Sequence, residues 1–308
     1  MIEPVSLARE AQDPLGFADA LGATFRRYGF AVVSDHGIPQ EAIAAAEAAS
    51  RAFFALPASV KAQYHVPGTG GARGYTPFGV ETAKGADHYD LKEFWHMGRP
   101  LSAGHPYARF MPDNLWPAEA PAFKPAMLAL FEAFDRMGLR LMRALARHLG
   151  LEPTFFDAAL KDGNSVLRLL HYPPVPPEAG GIRAGAHEDI NAITLLLGAE
   201  EAGLQVLEKN GQWLPVSPPP GSLVVNIGDM LQRHCNHVLP STTHRVVNPA
   251  PERRKFPRYS MPFFLHYAPD FTIRTLSNCV TADNPNRYPD PITADEYLQM
   301  RLREIKLK

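Results

Sequence analysis

The sequence predicts a mainly β protein, a barrel or sandwich with helices packed on it. Two observations carry this. The second half holds short β-type runs separated by turn signals: VLRLLHY (166–172), AITLLLG (192–198), GLQVLEK (203–209), QWLPV (212–216), SLVVNIG (222–228), HRVVN (244–248) and RYSMPFFLHYA (258–268). Their spacing fits an all-β barrel or sandwich and not βαβ units, which place a long helix between successive strands. The first half reads helical instead.

Taken in order, residues 15–28 place Phe17, Leu21, Phe25 and Tyr28 on one helical face, with Gly22 weakening the run slightly. Gly29-Phe-Ala-Val-Val-Ser follows as a short strand. Residues 40–55 are alanine-rich and helical, entered after Pro39 and ended by Pro57. Residues 63–116 are rich in Gly, Pro and aromatics, which predicts long loops with short strands. Residues 119–149 contain a long amphipathic helix, expected to start near Pro125 and to stop at Gly150. In the second half, Lys209-Asn210-Gly211 is a hairpin signal. Residues 294–306 close the chain as a helix. No linker divides the halves. The expected organisation is a helical and loop region over 1–115, packed on a unit over 116–308 that carries the long helix and the β core.

Composition bounds the function. The 308 residues carry 31 Lys+Arg against 32 Asp+Glu, a net charge of -1. That balance gives no electrostatic reason to expect nucleic acid or an anionic membrane as partner. Cys235 and Cys279 are too few for a disulfide framework or a four-cysteine metal site, and read as inert free thiols. The N-terminus lacks a secretory pattern, and no apolar run of about 18 residues occurs. Cytoplasmic residence is therefore expected. The 30 prolines are about double the usual ~5% and are dispersed, which indicates many ordered turns.

Chemistry concentrates at Ala186-His187-Glu188-Asp189. On a strand, residues two apart share a face, so His187 and Asp189 would present imidazole and carboxylate to one space, with Glu188 turned away. His244 opens another β run far enough along the chain to return across a barrel. Two histidines and one carboxylate form the facial triad of non-haem Fe(II), leaving open positions for further ligands. An HxD pair is common by chance, and on these residues alone zinc competes with iron. Arg258 and Ser260, at the start of the next β run, share a face by the same period. A guanidinium fork beside a hydroxyl suits a carboxylate.

HxD, then His, then RxS in this order resembles the isopenicillin N synthase-like family of Fe(II)/2-oxoglutarate oxygenases. Further blocks resemble the family over nearly the whole chain: Arg27 to Pro39, Arg73-Gly-Tyr75, Asp90-Leu-Lys-Glu93, Leu167 to Pro174, Asn226 to Arg233, and Ser241-Thr-Thr-His-Arg-Val246. The resemblance implies a double-stranded β-helix (jelly roll, cupin-like) core with N-terminal helices and a long buttressing helix. It implies that His187, Asp189 and His244 bind Fe(II), that Arg258 and Ser260 bind the distal carboxylate of 2-oxoglutarate, and that Tyr172 also reaches this co-substrate. O2 is then consumed to hydroxylate, desaturate or cyclise a small organic substrate, with release of succinate and CO2. Plant members often have Asn two residues before that tyrosine; here the position is Leu170. Two alternatives stay open: an oxidase of the isopenicillin N synthase type that uses no 2-oxoglutarate, and a non-catalytic jelly-roll binding protein.

Other residues carry weaker signals. His234 and His237 form an HxxH pair, expected to be structural. Arg183 is expected to be a solvated loop residue, although it could reach an acidic substrate. Tyr75, Phe78 and Trp95 either line the entrance or pack against the helices.

Overall fold

A computed structural model describes residues 2–69, 71–81, 89–175, 181–197 and 203–304. Residue 198 of a predicted strand and residues 305 and 306 of the predicted last helix lie outside these. In chain order the elements are β1 (Pro4–Ser6), α1 (Pro14–Tyr28), β2 (Phe30–Ser34), α2 (Gln40–Phe54), α3 (Ala58–Lys61), β3 (Gly74–Thr76), β4 (Glu93–Gly98), α4 (Phe123–His148), α5 (Asp157–Leu160), β5 (Val166–Tyr172), β6 (Ala184–His187), β7 (Ile193–Leu197), β8 (Leu204–Leu207), β9 (Trp213–Pro215), β10 (Leu223–Ile227), α6 (Asp229–His234), β11 (His244–Val246), β12 (Arg258–Ser260), β13 (Pro262–Leu265), β14 (Thr272–Ile273), β15 (Ile292–Thr293) and α7 (Ala294–Glu304).

Two sheets face each other. The larger runs β1-β2-β10-β7-β13-β5-β4-β3, with β12 also on β5. The smaller runs β6-β11-β8-β9. Strand alternation gives the larger sheet two different faces. Leu167, Leu169, Leu195, Val225 and Phe263 join the main core with α4. Phe134 stacks on Phe263 with ring centroids 5.5 Å apart, and Phe131 meets the same ring edge-on at 5.0 Å. Gly138 lets α4 approach, since a Cβ there would stand only 3.0 Å from Leu265. The opposite face packs on the smaller sheet through two apolar clusters. Phe30, Val32 and Val224 meet Leu204 and Val206 in one. Phe94, Leu170 and Tyr172 meet Ala184 and Val246 in the other. This is the expected jelly roll with α4 as its buttress.

Local chemistry sets the element ends. Asp13 caps α1 by accepting from the Gly16 N–H at 2.8 Å, and Gly29 closes it in the left-handed region (φ 68°). A side chain at Gly29 would strike Pro240 O and Thr242, so this turn also seats β2 against the loop before β11. The long helix starts at Phe123, two residues before the expected Pro125. Pro125 is tolerated in the first turn, where its missing N–H has no intrahelical acceptor. The run 258–268 divides at Met261. Pro262 has no N–H for the ladder, so β12 pairs with β5 alone while β13 bridges β5 and β7. The N-terminal region also contributes to the larger sheet. Its strands β1 to β4 extend the larger sheet at both edges.

The buried His234 has a measurable consequence. Phe155, Phe156, Tyr267 and Phe271 surround its ring, and the Tyr267 hydroxyl lies 3.1 Å from Nδ1. Burial pushes this imidazole down to about 4 from an unfolded value near 6.5. The neutral ring is therefore the folded form. Its contribution to stability is fully present above pH ~6.5 and is lost as pH falls toward ~4, on the order of 3 kcal/mol. Urea melts at pH 7.5 and pH 4.5 should show a smaller acid loss in His234→Phe than in the parent. Equal losses in the two proteins would contradict this.

Candidate active site

His187 ends β6 and His244 begins β11, and the two are direct partners in the antiparallel register. Their ring centroids are 4.4 Å apart. Asp189 lies beyond the end of β6, so a turn delivers its carboxylate, not the strand alternation the sequence suggested. The turn is fixed by the Asp229 N–H, which donates to Asp189 O at 2.7 Å. Asp189 Oδ1 then stands 3.8 Å from Nε2 of both histidines. One ligand atom from each residue falls within 4.8 Å of the others, the spacing of a single metal ion's coordination shell.

The remaining polar atoms of the three residues are already engaged. His187 Nδ1 lies 2.8 Å from Gly185 O, and His244 Nδ1 lies 3.1 Å from Thr242 O. A carbonyl only accepts, so both Nδ1 atoms carry a proton, and both Nε2 atoms face the common point. Thr194 Oγ1 and Asn226 Nδ2 donate to Asp189 Oδ2 at 2.6 and 2.8 Å, which leaves Oδ1 for a cation. Electrostatics fit this. Burial works to raise the Asp189 pKa, yet His244, His187, Asn226 and Thr194 together hold it below the ordinary value. Although 42% of the His187 side chain is solvent-accessible, partial desolvation pushes its imidazole down, and His244 pushes the same way. Two imidazoles beside a carboxylate are the donor set of a facial triad.

Thr194 escaped the sequence reading, and Asn226 entered it only as the first residue of the Asn226 to Arg233 block, with no role assigned, because a single hydroxyl or amide does not announce its partner. Thr194→Val and Asn226→Leu each remove one support of Asp189 Oδ2. Each should weaken Fe(II) binding roughly 10- to 100-fold without unfolding the protein, as measured by competition with a chelating dye. Unchanged affinity would mean that Asp189 is oriented by other means.

The facing wall belongs to β5 and β12. Arg258 pairs in register with Tyr172, and Ser260 with Leu170. All four side chains are buried, and the Arg258 guanidinium lies 5.0 Å from the Tyr172 ring. Leu170 packs in the apolar cluster opposite Ser260, so no polar group comes from that position. Arg183 corrects its expectation. It is fully buried, not solvated, and stands 5.9 Å from the Tyr172 ring. The reason is tertiary packing: the bend before β6 lies against Tyr172 and against Phe256, whose carbonyl accepts from Arg183 Nη2 at 3.3 Å.

The Asp90-Leu-Lys-Glu93 block also gains a role. Asp90 Oδ1 accepts from Gly185 N at 2.9 Å, and Gly185 O in turn holds His187. Lys92 keeps Asp90 in place at 2.8 Å and reaches Glu81 at 3.1 Å. Glu81 also meets Arg168 at 3.4 Å. Glu93 turns the other way and accepts from Lys61, His171 and Tyr75. Tyr75 and Trp95 accordingly pack against helical residues, with Trp95 4.8 Å from Phe53 and 5.2 Å from Phe123. Phe78 stays exposed beside Tyr89. Glu188 accepts from Thr243 Oγ1 at 2.9 Å, away from the triad. His237 stacks on Tyr288, and both cysteines are buried and free.

A jelly roll that sets a His–Asp–His cluster opposite an Arg–Ser wall defines a non-haem metal oxygenase. Comparison with known proteins gives the family. Residues 2–119 match the N-terminal family described as non-haem dioxygenase in morphine synthesis, and residues 163–267 match the 2OG-Fe(II) oxygenase superfamily. The 2-oxoglutarate-Fe(II) type oxidoreductase hxnY of Emericella nidulans is 35% identical over 284 residues, 88% of this chain and 79% of the relative. A 2OG-Fe(II) oxygenase family protein of Caulobacter crescentus is 63% identical over 99% of both chains, with a TM-score of 0.93. A full-length Neurospora crassa protein solved in complex with alpha-KG is 30% identical over 98% of this chain and 95% of its own, with a TM-score of 0.87. The chain belongs to the Fe(II)/2-oxoglutarate-dependent oxygenases and is a dioxygenase using Fe(II), 2-oxoglutarate and O2.

Proposed function

We propose that His187, Asp189 and His244 hold Fe(II), that Arg258, Ser260 and Tyr172 hold 2-oxoglutarate, and that a small organic molecule is oxidised between the two sheets. The carrying observation is the freed donor set: two Nε2 atoms and one carboxylate oxygen converge, with every other polar atom of the triad hydrogen-bonded. Bound Fe(II) supplies the O2-dependent oxidation, for which 2-oxoglutarate is the electron source and succinate and CO2 are the products.

The chain's own residues orient and enclose. Arg258 offers a guanidinium fork and Ser260 a hydroxyl to the distal carboxylate, in a buried wall where such bonds are strong. The Tyr172 ring packs under that guanidinium and limits its rotamers. The clusters of Phe30 with Val206, and of Leu170 with Val246, exclude water on either side of the triad. Small-molecule substrates suit this enclosed site, and the Neurospora crassa protein has been solved with thymine and with 5-formyluracil. The near-neutral charge supports neither a nucleic-acid nor a membrane partner, and no helix among the described residues is long and apolar enough to cross a membrane. Two free thiols support cytoplasmic residence.

The test is an anaerobic Fe(II) titration of the metal-free protein with and without 2-oxoglutarate. A visible charge-transfer band should appear only when both are present. Iron binding with no band would favour an oxidase that takes all its electrons from the substrate. No iron binding would overturn the site assignment.

A further inference from the structure

We propose that Arg73 and His266 form a substrate subsite for an anionic group, so that the molecule oxidised here carries a carboxylate. The inference rests on the functional reading above and adds the substrate class.

Both residues belong to the space between the sheets. Gly98, His96 and Phe94 share one face of β4, and Phe94 packs in the apolar cluster beside Tyr172. The Arg73 guanidinium lies flat on that face: a Cβ at Gly98 would stand 1.9 Å from Arg73 Nη2. Glycine at 98 thus leaves room for the guanidinium. On β13 and the residue after it, Phe263 and Leu265 point into the core under α4, as does Tyr267. Phe264 and His266 therefore point inward. Phe264 pairs in register with Thr194, the residue that supports Asp189. Across the sheet Gly98 pairs with Val166 and Val166 with Phe264, so Arg73 over Gly98 and His266 just beyond Phe264 lie at the same end of this inner face.

Arg73 stands out among the buried cations here. Lys92 has Asp90 and Glu81, and Arg168 has Glu81. Arg73 is only 6% exposed, yet among the described residues no carboxylate pairs with it. Its Nη1 donates to Ala72 O at 2.7 Å and its Nε to Pro112 O at 3.2 Å, while Nη2 has no acceptor among the described residues. A buried charge without a counter-ion is costly, and its retention points to a partner that arrives with the ligand. His266 is 8% exposed, and among the described residues nothing hydrogen-bonds its ring nitrogens. A neutral imidazole presents one N–H toward an acceptor. One guanidinium and one imidazole N–H match a single carboxylate; a phosphate dianion would call for more donors and charge. A molecule anchored on this pair extends from it toward Asp189, which brings its carbon skeleton to the triad.

The test uses the enzyme loaded anaerobically with Fe(II) and saturating 2-oxoglutarate. Phenylacetate and hexanoate, each beside its own carboxamide, are titrated by calorimetry while the visible chelate band is monitored. The parent should bind each carboxylate at least about tenfold tighter than its amide. Arg73→Met and His266→Phe should each abolish that preference, and Arg73→Lys should keep part of it, with the chelate band unchanged in all. If Arg73→Met does not fold, His266→Phe and Arg73→Lys decide. No preference in the parent, a preference that survives in His266→Phe, or binding that bleaches the band by displacing 2-oxoglutarate overturns the inference. Absence of the band from the parent itself is the separate failure of the functional reading.

Discussion

Asp189→Ala abolishes iron-dependent turnover while the protein stays folded. The substitution removes the one anionic donor of the triad and leaves two histidines side by side, a pair that holds a hard divalent cation poorly. It also frees the Thr194 hydroxyl and the Asn226 amide, which lose their shared acceptor. Buried donors left unpaired cost about 1–3 kcal/mol, so a modest fall in stability accompanies the loss of activity. Succinate release in the presence of O2 should drop to background, and the chelate band should not form at iron concentrations that saturate the parent. Asp189→Glu keeps the charge but lengthens the arm, and should restore iron binding only in part. Substantial turnover in Asp189→Ala would remove the triad from the mechanism.

Arg258→Ala acts at the other wall. It should raise the KM for 2-oxoglutarate roughly a hundredfold, since truncating one partner of a buried charged pair costs about 2–5 kcal/mol. Iron affinity in the absence of 2-oxoglutarate should be unchanged, because Arg258 supplies none of the triad's hydrogen bonds. Arg258→Lys should fall between the two, as a point charge lacks the guanidinium fork. Equal loss of iron and 2-oxoglutarate affinity would point to collapse of the wall and contradict this division of labour.

Much of this site is legible in the sequence because its residues obey short periods. Arg258 and Ser260 lie two apart on a strand, and the structure buries both on one face. His187 and His244 each fall at a strand terminus, where apolar runs meet polar residues. The spacing of Asp189 marks it for an incomplete reason, since the strand stops before it and a turn completes the geometry. Arg183 shows the opposite failure. Glycines nearby suggest a loop, and nothing local reports that this bend packs against Tyr172 and Phe256. The support that Thr194 and Asn226 give to Asp189 cannot be read from pattern, although Asn226 opens one of the resembling blocks. Their importance arises only when β7 and β10 become neighbours. Strands are well delimited where the β-type run is uninterrupted by proline or glycine, as in β5 and β10. They are overextended where a proline interrupts the ladder, as at Pro262.

The threading of the larger sheet bears on how the polypeptide acquires its shape. The strand β2 pairs with β1 on one side but with β10 on the other, and β4 with β3 but also with β5, so the first third of the chain takes half of its ladder from segments synthesised much later. The helix α1 likewise lies on α4. Such non-local pairing must close long loops before any contact rewards it, which makes folding slow. A nascent chain of the first 115 residues therefore holds helices with uncovered apolar faces and strands with open edges. Its second ladder partners arrive only once β10, which ends at Ile227, has been made.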